Sequence, residues 1–183
     1  MRPGLALAAR LLAALNADSP DEVDAIDYDS RLGAYGELKA AAWASHPAEG
    51  MPLLLHHCFR DLRNGEDLAL RHAAAAALAA FLDSAAMEEG AATRELVPRL
   101  IYPQIKSSLG ADNLAVRQEH LSLLRSAAVK LPMLFPDLQR LASPADPEAD
   151  FFYNVAHLQL YRRARALARL TRMLRREEEG GSG

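Results

Sequence analysis

The sequence is poor in β-branched residues, in cysteine and in long apolar runs. Valine and isoleucine together number only 8 among 183 residues, although sandwiches, barrels and parallel sheets draw heavily on them. The single cysteine, Cys58, cannot form an intramolecular disulfide, which fits a reducing compartment. No run of 18 apolar residues occurs, so we expect a soluble protein with no membrane contact and no secretion signal.

Motifs of catalytic, nucleotide-binding and metal-binding sites are also missing. The sequence contains no GxGxxG, P-loop, nucleophile elbow or HExxH pattern. His56, His57 and Cys58 are the one cluster of metal-ligand type, but consecutive residues on a helix point about 100° apart and do not converge on one ion. We therefore expect no metal, no cofactor, no small-molecule substrate and no enzymatic activity. If the chain is an enzyme after all, the alternative is a small helical enzyme.

Alanine and leucine dominate what is present. The chain holds 36 alanines and 31 leucines, both strong helix formers, so we predict an all-α fold. Apolar spacing and helix-stop residues divide the chain into eight helices, which pair as four hairpins. The second predicted helix carries Leu32 to Ala42, and the fifth is capped by Thr93. The last is a long stretch from Asp146-Pro147 to about Arg176.

Short sequence matches indicate a repeat. Asp67-Leu-Ala-Leu-Arg71 aligns with Asn113-Leu-Ala-Val-Arg117 at an offset of 46 residues, and Arg163 lies 46 residues beyond Arg117. Such a period is typical of HEAT or armadillo repeats, which stack into an α-solenoid; a non-repetitive bundle is the alternative. We expect one helical-repeat segment over residues 1–176, a flexible tail over 177–183, and contacts between neighbouring repeats by four residues: Asp67, Arg71, Asn113 and Arg117.

The charge is strongly uneven along the chain. Residues 151–176 carry seven arginines and no acid, whereas residues 1–150 carry 14 basic and 21 acidic residues, a net charge of −7. Most of these arginines recur at helical spacing, opposite Leu160, Leu167 and Leu174, which we expect to be buried. The arginines either contact RNA or an acidic partner, or form a solvated face. The candidate contact residues are Arg162, Arg163, Arg165, Arg169, Arg172 and Arg176.

The segment from Asp146 to Leu167, DPEADFFYNVAHLQLYRRARAL, resembles the signature of the Down-Regulated-In-Metastasis family, the component 20 proteins of the small-subunit processome. Val116 to Glu119 and Leu68 to Arg71 are similar to segments that precede it in that family. The resemblance is good over residues 112–170, weaker over 27–83 and absent at both ends. Tyr161 stands where the resemblance predicts histidine.

This resemblance implies a fragment of a long helical-repeat protein of the nucleus and nucleolus. The function it implies is non-catalytic scaffolding in ribosomal RNA processing and small-subunit biogenesis. The implied partners are other processome proteins, precursor ribosomal RNA and the small nucleolar ribonucleoprotein. The alternative is a HEAT-type adaptor that serves transport or phosphatase assembly.

Overall fold

The computed structural model describes residues 3–15, 25–46, 48–64, 67–87 and 90–180. Every regular element within these ranges is a helix. The chain divides into two compact units, residues 1–108 and residues 109–183. The predicted all-α fold of the α-solenoid type is confirmed, because each unit is built from successive helices that pack against one another.

The first unit is arranged around a central alanine-rich helix. Its elements are α1 (Pro3–Leu15), α2 (Ala25–Glu37), α3 (Ala40–Ser45), α4 (Met51–Asn64), α5 (Leu68–Ala86), α6 (Ala91–Leu96), a π-helical turn (Val97–Ile101) and α7 (Tyr102–Ser108). Helix α5 packs against α2, α3, α4 and α6. Among the described helices, α5 alone has the length and apolar composition of a membrane-spanning helix, and its central position explains that composition, since a core helix is apolar on several sides.

Trp43 anchors α3 to α5. The indole is fully buried, and its Nε1 donates a hydrogen bond of 3.0 Å to the carbonyl oxygen of Ala77. Its ring lies edge-on to Phe81, with the centroids 5.1 Å apart, an arrangement that aromatic pairs favour. A small residue at position 77 leaves room for the indole to reach the backbone of α5. The alanines of this helix therefore serve close packing as well as helix propensity.

The second unit contains two long helices separated by short ones. Its helices are α8 (Leu114–Lys130), α9 (Pro136–Gln139), α10 (Phe151–Asn154) and α11 (Leu160–Gly180). Helix α8 packs against α9 and α10, and α10 packs against α11. The short helix α10 thus lies between the two long helices of this unit.

The 46-residue offset in the sequence is also the offset of the helix starts. Helices α5, α8 and α11 begin at Leu68, Leu114 and Leu160. The residues before the first two are N-caps of the same geometry: the Asp67 side chain accepts from the amides of residues 69 and 70, and Asn113 accepts from those of residues 115 and 116. An N-cap side chain satisfies amides that have no partner within the helix. The structural unit that repeats therefore begins at these caps.

Two predicted helices are interrupted in the structure. The predicted second helix is divided into α2 and α3 by Leu38 and Lys39, because the Leu38 side chain is buried and the chain turns there. The predicted long stretch from Asp146 is likewise wrong: the Asp146 side chain accepts from the amides of residues 148 and 149 in a turn, and only α10 and a loop follow before α11 begins. Local caps outweigh helix propensity at this point.

The helix after α5 starts three residues earlier than predicted. Gly90, and not Thr93, occupies the N-cap position, and the Thr93 hydroxyl donates to the Gly90 carbonyl oxygen at 2.9 Å. A Cβ at Gly90 would lie 2.0 Å from the carbonyl oxygen of Ser84, so only glycine allows this close approach. Pro98 and Pro103 lack the amide that a helix needs. The helix is interrupted at this point by the π-helical turn, in which the Tyr102 amide donates to the Val97 carbonyl oxygen.

Helix α11 continues beyond the boundary predicted at residue 176. It includes residues 177–180, which were assigned to a flexible tail, and ends at Gly180. Residues 181–183 lie outside the described part of the chain, as does Ser19-Pro20-Asp21-Glu22, a sequence typical of a helix N-terminus. The assignment of residues 1–176 to one repeat segment stays a prediction.

Candidate nucleic-acid interface on helix α11

Helix α11 packs on the rest of the second unit through the side that carries Arg162, Ala166 and Arg169. Among residues 160–176 of this helix Ala166 is the one that is buried, and Arg162 and Arg169 lie beside it, half-buried. The expectation that Leu160, Leu167 and Leu174 are buried is wrong, because these side chains are 70%, 51% and 51% exposed. Alanine allows close approach of the backbone, and arginine packs its aliphatic stem while its charged end reaches polar partners.

The arginine stripe of α11 consists of Arg162, Arg165, Arg169, Arg172 and Arg176. Its first half contacts the acidic segment before α10, which is residues 148–150. Arg162 Nη2 lies 3.3 Å from Glu148 Oε1, and Arg165 Nη1 lies 3.8 Å from Glu148 Oε2. Arg169 donates through Nη1 to the carbonyl oxygen of Ala149. Glu148 and Arg165 are largely exposed, so these ion pairs are weak. They orient the helix, and they leave only part of the positive charge available to a partner.

The second half of the stripe is open to solvent. Arg172 and Arg176 are exposed, and together with Arg169 and Met173 they line a shallow groove of about 320 Å³. Arg165, Arg169 and Arg172 also line a smaller cleft of about 170 Å³ beside Glu148. Guanidinium groups bind phosphate in a bidentate manner. The groove is lined by arginines and a methionine, whereas Glu148 and Asp150 add carboxylates to the lining of the cleft.

Arg163 differs from the other predicted contact residues. Its Nη1 donates to the carbonyl oxygens of His157 and Leu158, at 2.8 and 3.1 Å, in the loop that precedes its own helix. Arg117 makes the corresponding contacts through Nη1 to the carbonyl oxygens of Ala111 and Asp112. Both side chains bind the turn that leads into their helix. The predicted role of Asp67, Arg71, Asn113 and Arg117 between neighbouring repeats stays a prediction; Arg71 Nε is buried with no hydrogen-bond partner in the described part of the chain.

The attachment of α10 to α8 involves residues that the sequence patterns did not single out. Arg125 Nε donates to Asp150 Oδ2 at 2.8 Å, and its guanidinium lies 4.5 Å from the centre of the Tyr153 ring. The Asp150 side chain is fully buried and also accepts from the amides of Ser143 and Phe152. An aspartate before Phe151-Phe152 was the available signal, since aspartate is a favoured N-cap. The Asp150 carboxylate therefore holds α10 against α8, and it places residues 148–150 beside the arginine stripe.

A second buried carboxylate lies in the first unit. Asp61 accepts hydrogen bonds from the Tyr35 hydroxyl at 2.6 Å, from Arg31 Nη2 at 2.8 Å and from Arg60 Nε at 3.0 Å. Burial by itself would raise the pKa of Asp61, but these three hydrogen bonds outweigh it and hold the pKa below its ordinary value. The contacts of Tyr35 and Arg31 with Asp61 join α2 to α4, and Arg60 also donates to the carbonyl oxygen of Leu15 in α1.

The cluster of metal-ligand type is dispersed by the fold. His56 is exposed, whereas His57 and Cys58 are buried. Burial raises the pKa of the Cys58 thiol, which therefore stays protonated, and burial lowers the pKa of His57. No group of three His, Cys, Asp or Glu side chains within the described ranges is placed to hold a metal ion.

Comparison with known proteins places the chain in a family. The family model described as "U3 small nucleolar RNA-associated protein 20, N-terminal" matches residues 1–113. The U3 small nucleolar RNA-associated protein 20 of Schizosaccharomyces pombe is 29% identical over 160 residues, which cover 85% of this chain and 6% of that protein. The protein of the same name from Saccharomyces cerevisiae is 32% identical over 179 residues, which cover 92% of this chain and 7% of that protein.

These matches correct the predicted extent of the resemblance. The first 26 residues, where we expected none, lie inside the matched range. An alanine- and leucine-rich helix carries little distinctive information in a single sequence, and the resemblance was therefore missed there. The chain spans 6% to 7% of the length of these two relatives. Because the family model covers more than half of this chain, and because the match extends across most of it, the chain belongs to the U3 small nucleolar RNA-associated protein 20 family, as its resemblance to the component 20 proteins of the small-subunit processome had predicted.

Proposed function

We propose that this chain is a non-catalytic, helical-repeat scaffold segment that acts in ribosomal RNA processing and small-subunit biogenesis in the nucleolus. Family membership supports the process, since the relatives are named for their association with U3 small nucleolar RNA. Other processome proteins and the U3 ribonucleoprotein are the partners that this proposal assigns to the chain. Its polar side chains mainly cap helices and join neighbouring elements, as a scaffold requires.

The exposed half of the arginine stripe carries the mechanistic part of the proposal. Arg172 and Arg176 are exposed on helix α11, which contains no acidic residue before Glu177. They line one groove with Arg169. We assign this groove to the phosphate backbone of precursor ribosomal RNA, because each arginine that neutralises a phosphate releases condensed counterions. Binding of this kind is independent of base sequence and suits a scaffold.

The test is RNA binding as a function of salt. The variant Arg172→Gln/Arg176→Gln removes two charges that are exposed and are not used to hold α10. We expect weaker binding to precursor ribosomal RNA and a salt slope reduced by about 1.4 for two contacts to a single strand. The matched control, Arg99→Gln/Lys106→Gln, removes two exposed charges from the first unit and should leave the slope unchanged.

Two results would contradict the proposal at different levels. Equal slopes for the double variant and the wild type would exclude RNA contact at this groove. Affinity purification from nuclear extract addresses the process itself, and we expect processome proteins and precursor ribosomal RNA in the eluate. Recovery of transport or phosphatase subunits alone would favour the HEAT-type adaptor and reject the processome role.

A further inference from the structure

The first unit contains an open groove between α4 and the π-helical turn, the α4 groove. Its volume is about 350 Å³, within the range typical of ligand-binding clefts. One wall belongs to α4, and the other carries Leu100 of the π-helical turn and Gln104 of α7. Turns of this kind recur at functional sites of proteins. The groove shares no residue with the arginine stripe.

The apolar part of the lining offers no aromatic face. Pro52, Leu55, Phe59 and Leu100 contribute to it, but the Phe59 ring is only 4% exposed. The bases of single-stranded RNA bind by stacking on exposed aromatic rings, and this groove presents none among its described residues. Aliphatic side chains of a peptide need no ring face. They are therefore the groups that suit this part of the groove.

The polar part of the lining is basic. His56, Arg60 and Arg63 follow one another at spacings of four and three residues, which places them on one face of α4. No aspartate or glutamate of the described chain lines the groove. The buried Asp61 carboxylate accepts from Arg60 Nε at 3.0 Å and from Arg31 Nη2 at 2.8 Å. Two arginines share that one carboxylate, so a positive charge remains beside the groove.

Arg63 adds a charge that no carboxylate in the described part of the chain neutralises. Its Nε donates to Ser108 Oγ at 2.9 Å, and its Nη2 donates to Gln104 Oε1. Both acceptors are uncharged, and the Arg63 residue is exposed. A guanidinium binds a carboxylate more strongly than it binds a neutral oxygen. Arg63 is thus placed to exchange a neutral partner for an acidic one.

The charge of the whole unit disfavours a polyanion in this groove. Residues 1–108 carry 10 basic and 15 acidic residues, a net charge of −5. A nucleic acid brings one negative charge with every nucleotide, and the acidic surroundings repel it. A peptide segment brings only the one or two carboxylates that the groove can pair. Charge and lining together therefore favour a protein segment as the occupant.

We propose that the α4 groove binds a segment of a partner protein that carries aliphatic side chains of the size of leucine next to aspartate or glutamate. The aliphatic side chains pack against Leu55 and Leu100, and the carboxylate pairs with Arg63, beside His56. This binding does not depend on RNA contact at the arginine-lined groove of α11. The failure of either proposal would leave the other in place.

The test uses the full chain and a labelled synthetic peptide. The probe is a fluorescein-labelled hexapeptide with two central leucines, an aspartate on each side of them and glycine at both ends. We expect saturable binding by fluorescence anisotropy. Serine in place of the leucines should weaken binding about tenfold or more, because aliphatic burial is lost. Lysine in place of the aspartates should weaken it by a similar factor, because the ion pair is lost.

Gln104→Glu is the principal variant, because it introduces a carboxylate into the groove with little change of shape. It preserves an acceptor for Arg63, and it neutralises the charge that the peptide carboxylate requires. We expect peptide affinity to fall about tenfold or more. Arg63→Gln removes the same charge and should weaken binding to a similar degree. Far-UV circular dichroism should show that both variants are folded, and Gln104→Glu tests the proposal even if Arg63→Gln is not.

Control variants distinguish the α4 groove from other basic positions. Lys39→Gln removes an exposed cation of the same unit that does not line the groove, and it should leave peptide affinity unchanged. Arg172→Gln/Arg176→Gln should also leave it nearly unchanged. A large loss in that variant would show that the peptide binds the arginine stripe, and it would overturn the proposal.

Four further outcomes would overturn the proposal. Equal peptide affinity for the wild type and Gln104→Glu would exclude the groove. Equal affinity of the leucine and serine peptides would show that no aliphatic side chain is bound. Loss of affinity for a single-stranded oligoribonucleotide in Gln104→Glu, with peptide binding unaffected, would make the groove an RNA site. A concentration-dependent dimer in sedimentation experiments that Gln104→Glu abolishes would identify a second copy as the occupant.

Discussion

Arg163 makes, 46 residues further along the chain, the same pair of contacts that Arg117 makes. In each case Nη1 donates to the carbonyl oxygens five and six residues earlier, in the turn before the helix. The two helices also begin at equivalent residues, Leu114 and Leu160. The repeat is therefore present in side-chain contacts as well as in helix starts, although the sequences around it share few residues.

Replacement of Arg163 by methionine should destabilise the second unit by about 1–2 kcal/mol. Methionine preserves the apolar stem and helix propensity, but it cannot bind the two carbonyl groups, and hydrogen bonds from a charged donor are stronger than neutral ones. Arg175→Met is the matched control, since Arg175 is exposed on the same helix. Urea unfolding measures both variants. Equal losses would show that the contacts of Arg163 contribute nothing specific.

Replacement of Asp150 by asparagine should be more damaging, with a loss of about 3 kcal/mol or more. The change leaves the guanidinium of Arg125 without its charge partner, and that side chain is only 19% exposed. Removal of one member of a buried ion pair leaves an uncompensated charge. Glu148→Gln, at an exposed carboxylate in the same segment, should cost less than about 0.5 kcal/mol. Thermal unfolding measures both variants, and similar losses would show that burial does not set the cost.

The Asp61 network should make the first unit sensitive to acid. The pKa of Asp61 in the folded protein lies below its ordinary value of 3.8, so the stabilisation is fully present above that value. It is lost as the pH falls below 3.8 and through the folded pKa. Asp61→Asn should flatten the dependence of unfolding free energy on pH in that range. The exposed Asp137→Asn variant should follow the wild-type curve, and an unchanged slope in Asp61→Asn would reject the assignment.

Two glycine substitutions should have opposite signs. Gly90→Ala places a Cβ 2.0 Å from the backbone oxygen of Ser84, so the start of α6 must shift, and we expect a loss of about 1–3 kcal/mol. Gly33→Ala lies within α2 and meets nothing within 4 Å. It should stabilise the protein by about 0.5–1 kcal/mol, because alanine restricts the unfolded chain and favours the helix. Calorimetric melting temperatures distinguish the two, and a shared sign would contradict the close approach at Gly90 as the cause.

Local signals predicted the bounds of α8 well, and they missed the breaks before α3 and α11. The start of α8 after Asn113 and its end before Pro132 follow from capping and proline chemistry, which depend on neighbours in sequence. The break at Leu38 and Lys39 has no such signal. The chain turns there because Leu38 and Trp43 both find buried positions, and those positions are created by helices distant in sequence. Tertiary packing decides such breaks.

The candidate site shows the same division. The sequence by itself determined the fold class, the 46-residue period, the family and the presence of an arginine stripe on the last helix. Only the tertiary structure decided which side of that helix faces the protein. Helical periodicity identifies two opposite faces and does not say which is buried. Here Glu148 pairs with Arg162 and Arg165, and Ala166 allows the close approach. Leu160, Leu167 and Leu174 are left at the surface, since burial depends on what a neighbouring helix presents and not on hydrophobicity alone.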